Sequence, residues 1–182
     1  MKTLIVIDCQ NDFITGNLAC LQAEEAVENI VKFINEEDVD VVYSCDWHSE
    51  NNHSFEKNGG IWPVHCVENT WGAELSHKFK EIKYVDQSPI PGNIYKKGLK
   101  DEVEEYSAYY AENLKGEKIA DIESEEYIVA GIASEFCVRE TVLELLKKGK
   151  KVSVLKEALG YVNKEEHEKN LKDLEEKGAI LK

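Results

Sequence analysis

Residues 127–151 read YIVAGIASEFCVRETVLELLKKGKK. A short apolar run, rich in β-branched residues, stops at Gly131. Small and polar residues follow, then Cys137. Val138, Val142, Leu145 and Leu146 then recur at the spacing of one helical face. The stretch predicts a buried strand handing over to a helix, with a thiol at the junction. That junction is the repeating unit of a parallel sheet covered by helices.

The same alternation extends in both directions. TLIVID (3–8) and DVDVVYSC (38–45) are apolar runs without polar alternation, as expected of strands buried on both faces. Between them, Ala26, Val27, Ile30, Val31, Phe33 and Ile34 mark a helix face. GNIYKKG is expected to hold a third strand, EEYIVAGI (125–132) a fourth, KVSVLKEALG a fifth and AILK a sixth. KEEHEKNLKDLEEKG reads as a polar helix closed by glycine. The expectation is one α/β domain over 1–182. It would have three layers, α/β/α, with a mainly parallel sheet of about six strands and helices on both faces.

Bulk composition narrows the partners. The chain has 182 residues, 36 acidic and 22 basic, and a net charge of −14. Such a surface repels phosphate backbones and anionic membranes, so neither nucleic acid nor a membrane is expected as a partner. Arg139 is the only arginine. No segment reaches the roughly 18 apolar residues of a membrane span, and MKTLIVID lacks the order of a signal peptide. The 5 cysteines are odd in number and unpatterned, which argues for a reducing cytosol over a disulfide scaffold. Association with copies of itself stays open.

In parallel sheets ligands bind beyond the carboxyl ends of the strands, beside a topological switch point. Asp8 ends the first strand, Asp46 the second and Lys97 the third, and Cys137 follows the fourth. One sheet edge therefore offers two acids, an amine and a thiol. Cys137 is expected to open its helix, where free N–H groups and the dipole would stabilise a thiolate, moving its pKa from about 8.5 toward neutrality. Most free cysteines only fill core volume; the neighbouring strand ends favour chemistry here. Asp8 can serve as base and acid, and a lysine can hold both charges. Spacing leaves Lys96 and Lys97 as rivals. Cys9, Cys20, Cys45 and Cys66 are read as core or loop residues.

The loop CDWHSENNHSFEKNGGIWPVHCV (45–67) carries three of the 5 histidines. Asp46 and His48, at i and i+2, share one side of an extended segment. With His53 or His65 they could hold Zn, Mn or Fe in a site with open positions. They could equally be polar loop residues. Trp47, Phe55 and Trp62 either wall a pocket or pack the loop.

VIDCQNDF, DWH…NHSF…WPVHCV…GAEL, KKG…YSAY and GIASEFCV resemble, in order, the signatures of the isochorismatase-like cysteine hydrolases, and most of all their nicotinamidase branch. The match runs from residue 2 to about 160. The resemblance implies a catalytic Asp8, Lys97 and Cys137, favouring Lys97 over Lys96. It implies metal ligands Asp46, His48 and His65, with His53 ligating in some members; zinc is favoured, with Mn or Fe as alternatives. It further implies that Phe13, Trp62 and Tyr106 sandwich a pyridine ring. The backbone amides of Ala133 and Cys137 would form an oxyanion hole, with a cis peptide at Ile132–Ala133. The implied substrate is a small-molecule amide, nicotinamide, bound by metal and pocket and cleaved through a thioester to nicotinate and ammonia, in NAD salvage. Sibling amidohydrolases of ureido and other small amides share the triad but generally lack the metal loop. Val64, Trp71 and Tyr109 depart from the usual residues; none removes a chemical group, and the latter two could reshape the pocket.

Overall fold

The β-branched run at the chain start forms β1 (Lys2–Ile7). Leu4 and Val6 point into one core and Ile5 and Ile7 into the other, and all four are fully buried. Period-two alternation with apolar residues on both faces is what a central strand requires. Each such side chain contributes about 2 kcal/mol by leaving water.

The computed structural model describes residues 1–182. After β1 come a short turn of helix, α1 (Asn11–Ile14), and α2 (Ala23–Glu36). β2 (Asp40–Asp46) precedes a long loop that returns as β3 (Ile94–Lys97). β4 (Glu126–Gly131) leads into a π-helical turn, Ser134–Val138, continuous with α3 (Arg139–Lys147). β5 (Val152–Leu159), α4 (Lys164–Glu176) and β6 (Ile180–Leu181) complete the chain. The six strands form one sheet in the order β3-β2-β1-β4-β5-β6, and every pairing is parallel. α2 covers one face through Ala26, Val27, Ile30 and Ile34, while α3 and α4 cover the other through Val142, Leu145 and Leu174. No helix is long and apolar enough to cross a membrane.

The chain winds outward from β1 in one direction and from β4 in the other, so their adjacent carboxyl ends are the switch point. The two ends pack hard together there. A Cβ on Gly131 would lie 2.1 Å from the Ile7 carbonyl oxygen, and its φ of +123° suits only glycine. This close approach brings the residues after β1 and β4 beside one another.

The expected helix start needs correction. Cys137 does not open a helix. The helical segment begins at Ser134, with Ala133 in extended conformation before it, and the thiol sits one turn inside. Ala133, Ser134 and Glu135 carry no helical periodicity, which is why sequence reading places the start late.

Candidate active site

Asp8 follows the last residue of β1 in the left-handed region, φ 45°, which aspartate tolerates better than most residues. Its Oδ1 accepts a hydrogen bond from Ser44 of β2 at 2.6 Å. Lys97 ends β3 with its side chain wholly enclosed. Its Nζ lies 2.9 Å from Asp8 Oδ2, 2.5 Å from Asp46 Oδ1 and 3.5 Å from Cys137 Sγ, and donates to the Glu105 carbonyl. One ammonium therefore holds two carboxylates and the thiol. The contact with Asp8 is one of charge, off the hydrogen-bond direction, so Oδ2 has no aligned donor. This is an acceptor beside the thiol: oxygen atoms of Asp8 and Asp46 and the Cys137 sulfur all lie within 4.8 Å of one another.

Burial pushes the Cys137 thiol well above its ordinary pKa, and the Lys97 charge only partly opposes this. The shift thus runs opposite to the lowered thiol pKa expected of a helix start. Burial likewise raises Asp8, against Lys97 and with the repulsion of Asp46. Burial would pull Lys97 down, but Asp46 and Asp8 hold it well above its usual range. The resting floor is a protonated amine, a thiol and a carboxylate whose proton affinity is enhanced, an arrangement primed for proton transfer rather than for a standing thiolate.

Asp46, the last residue of β2, turns Oδ2 toward two imidazoles. His48 Nε2 lies 3.5 Å away and His65 Nε2 4.0 Å. Each ring anchors its other nitrogen on a backbone carbonyl: His48 Nδ1 on Gly98 at 2.9 Å and His65 Nδ1 on Pro63 at 2.7 Å. Nδ1–H donates in both, which turns both Nε2 atoms toward the carboxylate. Asp46 is held well below the usual carboxylate range by Lys97, despite its burial. One carboxylate oxygen and two imidazole nitrogens, all buried and within 4.8 Å, fit a divalent cation. Gly98 is part of this cradle, since a Cβ there would lie 2.4 Å from His48 Cε1. His53 stands apart, exposed, and so is not brought into the ligand group; only its backbone is engaged, donating to Asp101.

Sequence reading missed the supports. Gln10 brackets Asp46, accepting from its N–H at 2.8 Å and donating to its carbonyl at 2.7 Å, with a second bond to Ala73. Buried Asp12 accepts from the Cys66 N–H at 2.8 Å and so fixes the turn behind His65. Both belong to the polar run QND directly after β1, an unusual place to bury polar groups, and that was the available signal.

Above the floor opens a largely apolar cavity. Phe13, Trp62 and Tyr106 line it, as do Cys137, Ala133, Asp46 and His65. Trp62 Nε1 donates to the Tyr106 hydroxyl at 3.1 Å and meets Phe136 edge-to-face at 5.0 Å. Phe136, Glu104 and Cys20 also line it. Phe136 and Glu104 carry no sequence signal, and Cys20, expected only as a core or loop residue, stands in the wall. Burial, followed by the repulsion of Asp46, raises Glu104. Thr141 ties wall to floor: its hydroxyl donates to the Cys137 carbonyl at 2.7 Å and accepts from the Ala108 N–H at 2.9 Å. The Ile132–Ala133 peptide is cis, and the Ala133 N–H donates to no carbonyl. Trp71 and Tyr109 are not in the wall. Trp71 is 58% exposed beside a different groove, and Tyr109 is buried in the core under α3, so neither reshapes the cavity.

A thiol set between a proton acceptor and an amine, at the foot of an aromatic cavity, suits attack on a carbonyl carbon, and the class this defines is the α/β cysteine hydrolases. Comparison with known proteins agrees. The sequence model of the isochorismatase domain matches residues 2–181. The chain therefore belongs to the isochorismatase family, and as an enzyme it falls among that family's cysteine amidohydrolases. It is 31% identical to the nicotinamidase of Saccharomyces cerevisiae over 195 residues, covering 85% of this chain and 86% of that one. The pyrazinamidase of Pyrococcus horikoshii, solved with zinc, superposes with a TM-score of 0.83 at 31% identity, over 100% of this chain and 98% of its own. The yeast nicotinamidase bound to the inhibitor nicotinaldehyde gives 0.84 at 27% identity, over 100% of both chains.

Proposed function

We propose that this chain hydrolyses nicotinamide to nicotinate and ammonia, with Asp8, Lys97 and Cys137 as its catalytic residues. The observation that carries the reading is the meeting of three features at one strand edge: the Asp8–Lys97–Cys137 contact, the Asp46–His48–His65 cradle, and an aromatic cavity that opens onto both.

The substrate ring enters between Phe13, Trp62 and Tyr106, with its carboxamide toward Cys137. Asp46, His48 and His65 would hold a divalent cation, most simply zinc, which would supply a Lewis acid for the ring nitrogen. As the carboxamide carbon comes within reach, Asp8 Oδ2 takes the thiol proton and Sγ bonds to the carbon. Negative charge moves to the amide oxygen, where the Ala133 and Cys137 N–H groups receive it. Asp8 returns its proton to the amide nitrogen, the C–N bond breaks and ammonia leaves a thioester. Water then gives its proton to Asp8 and attacks the thioester. The carbon–sulfur bond breaks, sulfur regains the proton and nicotinate departs. Lys97 stays charged throughout, holding the carboxylate and the sulfur in place. The family relationship supports an amide substrate, and the aromatic walls support a flat one.

The test is ammonia release by metal-loaded protein from nicotinamide, beside a panel of carbamoyl and ureido compounds. Nicotinamide is expected to be the best substrate by kcat/KM. Preference for a ureido compound, with nicotinamide inert, would overturn the assignment in favour of a sibling amidohydrolase.

A further inference from the structure

α4 is a polar helix that buries little besides Leu174 and Asn170. Its inward polar groups converge on one residue. Asn170 Nδ2 donates to the Ser134 carbonyl at 2.8 Å and to Ser134 Oγ at 3.2 Å. Asn170 Oδ1 accepts from Arg139 Nη1 at 2.8 Å, which fixes the direction of the amide. The single arginine of the chain also pairs with Asp173 at 2.7 Å. His167 Nδ1 lies 2.7 Å from Ser134 Oγ, and its ring stacks on Tyr161 at 4.4 Å. Ser134 Oγ is therefore held between two side chains of α4, the Asn170 amide that donates to it and the His167 ring. Burial lowers the His167 pKa and so favours the neutral ring, although the Glu135 and Glu168 carboxylates act the other way.

Ser134 is fully buried, and its N–H donates to the Gly160 carbonyl at 2.8 Å. Every polar atom of Ser134 is thus held from outside its own turn. That turn is the one between the free Ala133 N–H and Cys137. A satisfied buried network fixes its members far more tightly than packing alone. Neither Asn170, Arg139 nor His167 lines the substrate cavity.

We propose that Asn170, oriented by Arg139 and seconded by His167, is a positioning residue that sets the Ala133–Cys137 turn so that its N–H groups meet the oxyanion. The role rests on the amidohydrolase reading above. Arg139 suits it because a planar guanidinium can serve Asn170 and Asp173 together, which a lysine ammonium does less well.

The test compares metal-loaded wild type with Asn170→Asp, which keeps the size and removes the donor, and with Arg139→Lys. Three quantities are read: kcat and KM for nicotinamide, the affinity for nicotinaldehyde, and the rate of Cys137 alkylation by iodoacetamide. The aldehyde adds the thiol and creates an oxyanion; alkylation displaces iodide and creates none. For Asn170→Asp, kcat should fall about 10- to 100-fold with KM within about twofold, the size of effect expected from a displaced oxyanion donor. Aldehyde affinity should weaken by the same factor as kcat, and alkylation should hardly change. Arg139→Lys should show the same split at smaller size, and carries the test alone if the first variant does not fold. Unchanged kcat and aldehyde affinity would overturn the proposal. So would a parallel loss of aldehyde affinity, alkylation and thermal stability, because the network would then only dock α4. A wild type that is alkylated and binds the aldehyde but releases no ammonia would strike the nicotinamidase reading instead, and the ratio of aldehyde affinity to alkylation would still decide the turn.

Discussion

Asp8 and Lys97 stand at strand ends and Cys137 one turn beyond another, whereas His48 and His65 hang from the long loop after β2. The floor groups are placed by the sheet, and their own mutual charge completes the arrangement: one buried ammonium among two carboxylates and a thiol. The loop groups are placed by proxy. Gly98 and Pro63 aim the rings through one hydrogen bond each, while Gln10 and Asp12 hold the backbone of Asp46 and of Cys66 beside His65. Between the two regions lies Asp46, with one oxygen on Lys97 and the other facing the imidazoles. A site split this way should fail in two distinguishable manners. Damage to the floor should cost both stability and chemistry; damage to the cradle should cost metal and substrate binding while leaving the thiol intact.

The floor variants should show the largest effects. Asp8→Asn removes the proton acceptor and should lower kcat about 10²- to 10⁴-fold in steady-state assays. Lys97→Met strands two buried carboxylates, and urea unfolding should register a loss of about 3–5 kcal/mol. A Lys97→Met protein as stable as wild type would break the picture of a charge-held floor. The cradle comes next. Gly98→Ala drives a methyl group against His48 and should weaken metal affinity about 10- to 100-fold by titration. Iodoacetamide should still alkylate its Cys137 at the wild-type rate, and a loss of thiol reactivity there would merge the two regions into one.

Acid should sharpen the contrast further. Asp8 acts as a base only when ionised, and burial raises its pKa above the ordinary 3.8. The fall of kcat/KM with decreasing pH should therefore begin above the usual carboxylate range, and Lys97→Arg, if it folds, should move it. The linked stability runs the other way: a raised folded pKa favours the fold below 3.8 and loses that contribution as pH rises through the raised value. The smallest effect should be that of His53→Ala, with metal affinity and kcat near wild type, since the ring is exposed and outside the ligand group.

This division also explains what could be read without the structure. Strands buried on both faces announce themselves as continuous apolar runs, so β1, β2 and β4 were legible that way; the strand–helix alternation supplied the rest, and with them the edge where Asp8, Asp46, Lys97 and Cys137 gather. The start of the helix carrying Cys137 was not, because a π-helical turn of small and polar residues has no periodicity of its own. Nor was the raised thiol pKa, since burial there outweighs Lys97. Gln10 and Asp12 act on residues 36 and 54 positions away, and no local pattern encodes such a reach. Phe136 neighbours the nucleophile, yet only its place opposite Trp62 makes it a wall.

The most direct test of the account follows the carbon rather than the ammonia. Metal-loaded protein is mixed with nicotinamide, quenched in acid during turnover, digested and examined by mass spectrometry. The account predicts a nicotinoyl group on the Cys137 peptide and none on those of Cys9, Cys20, Cys45 or Cys66, with Cys137→Ala giving neither adduct nor nicotinate. Nicotinate formation by Cys137→Ala at the wild-type rate would contradict it.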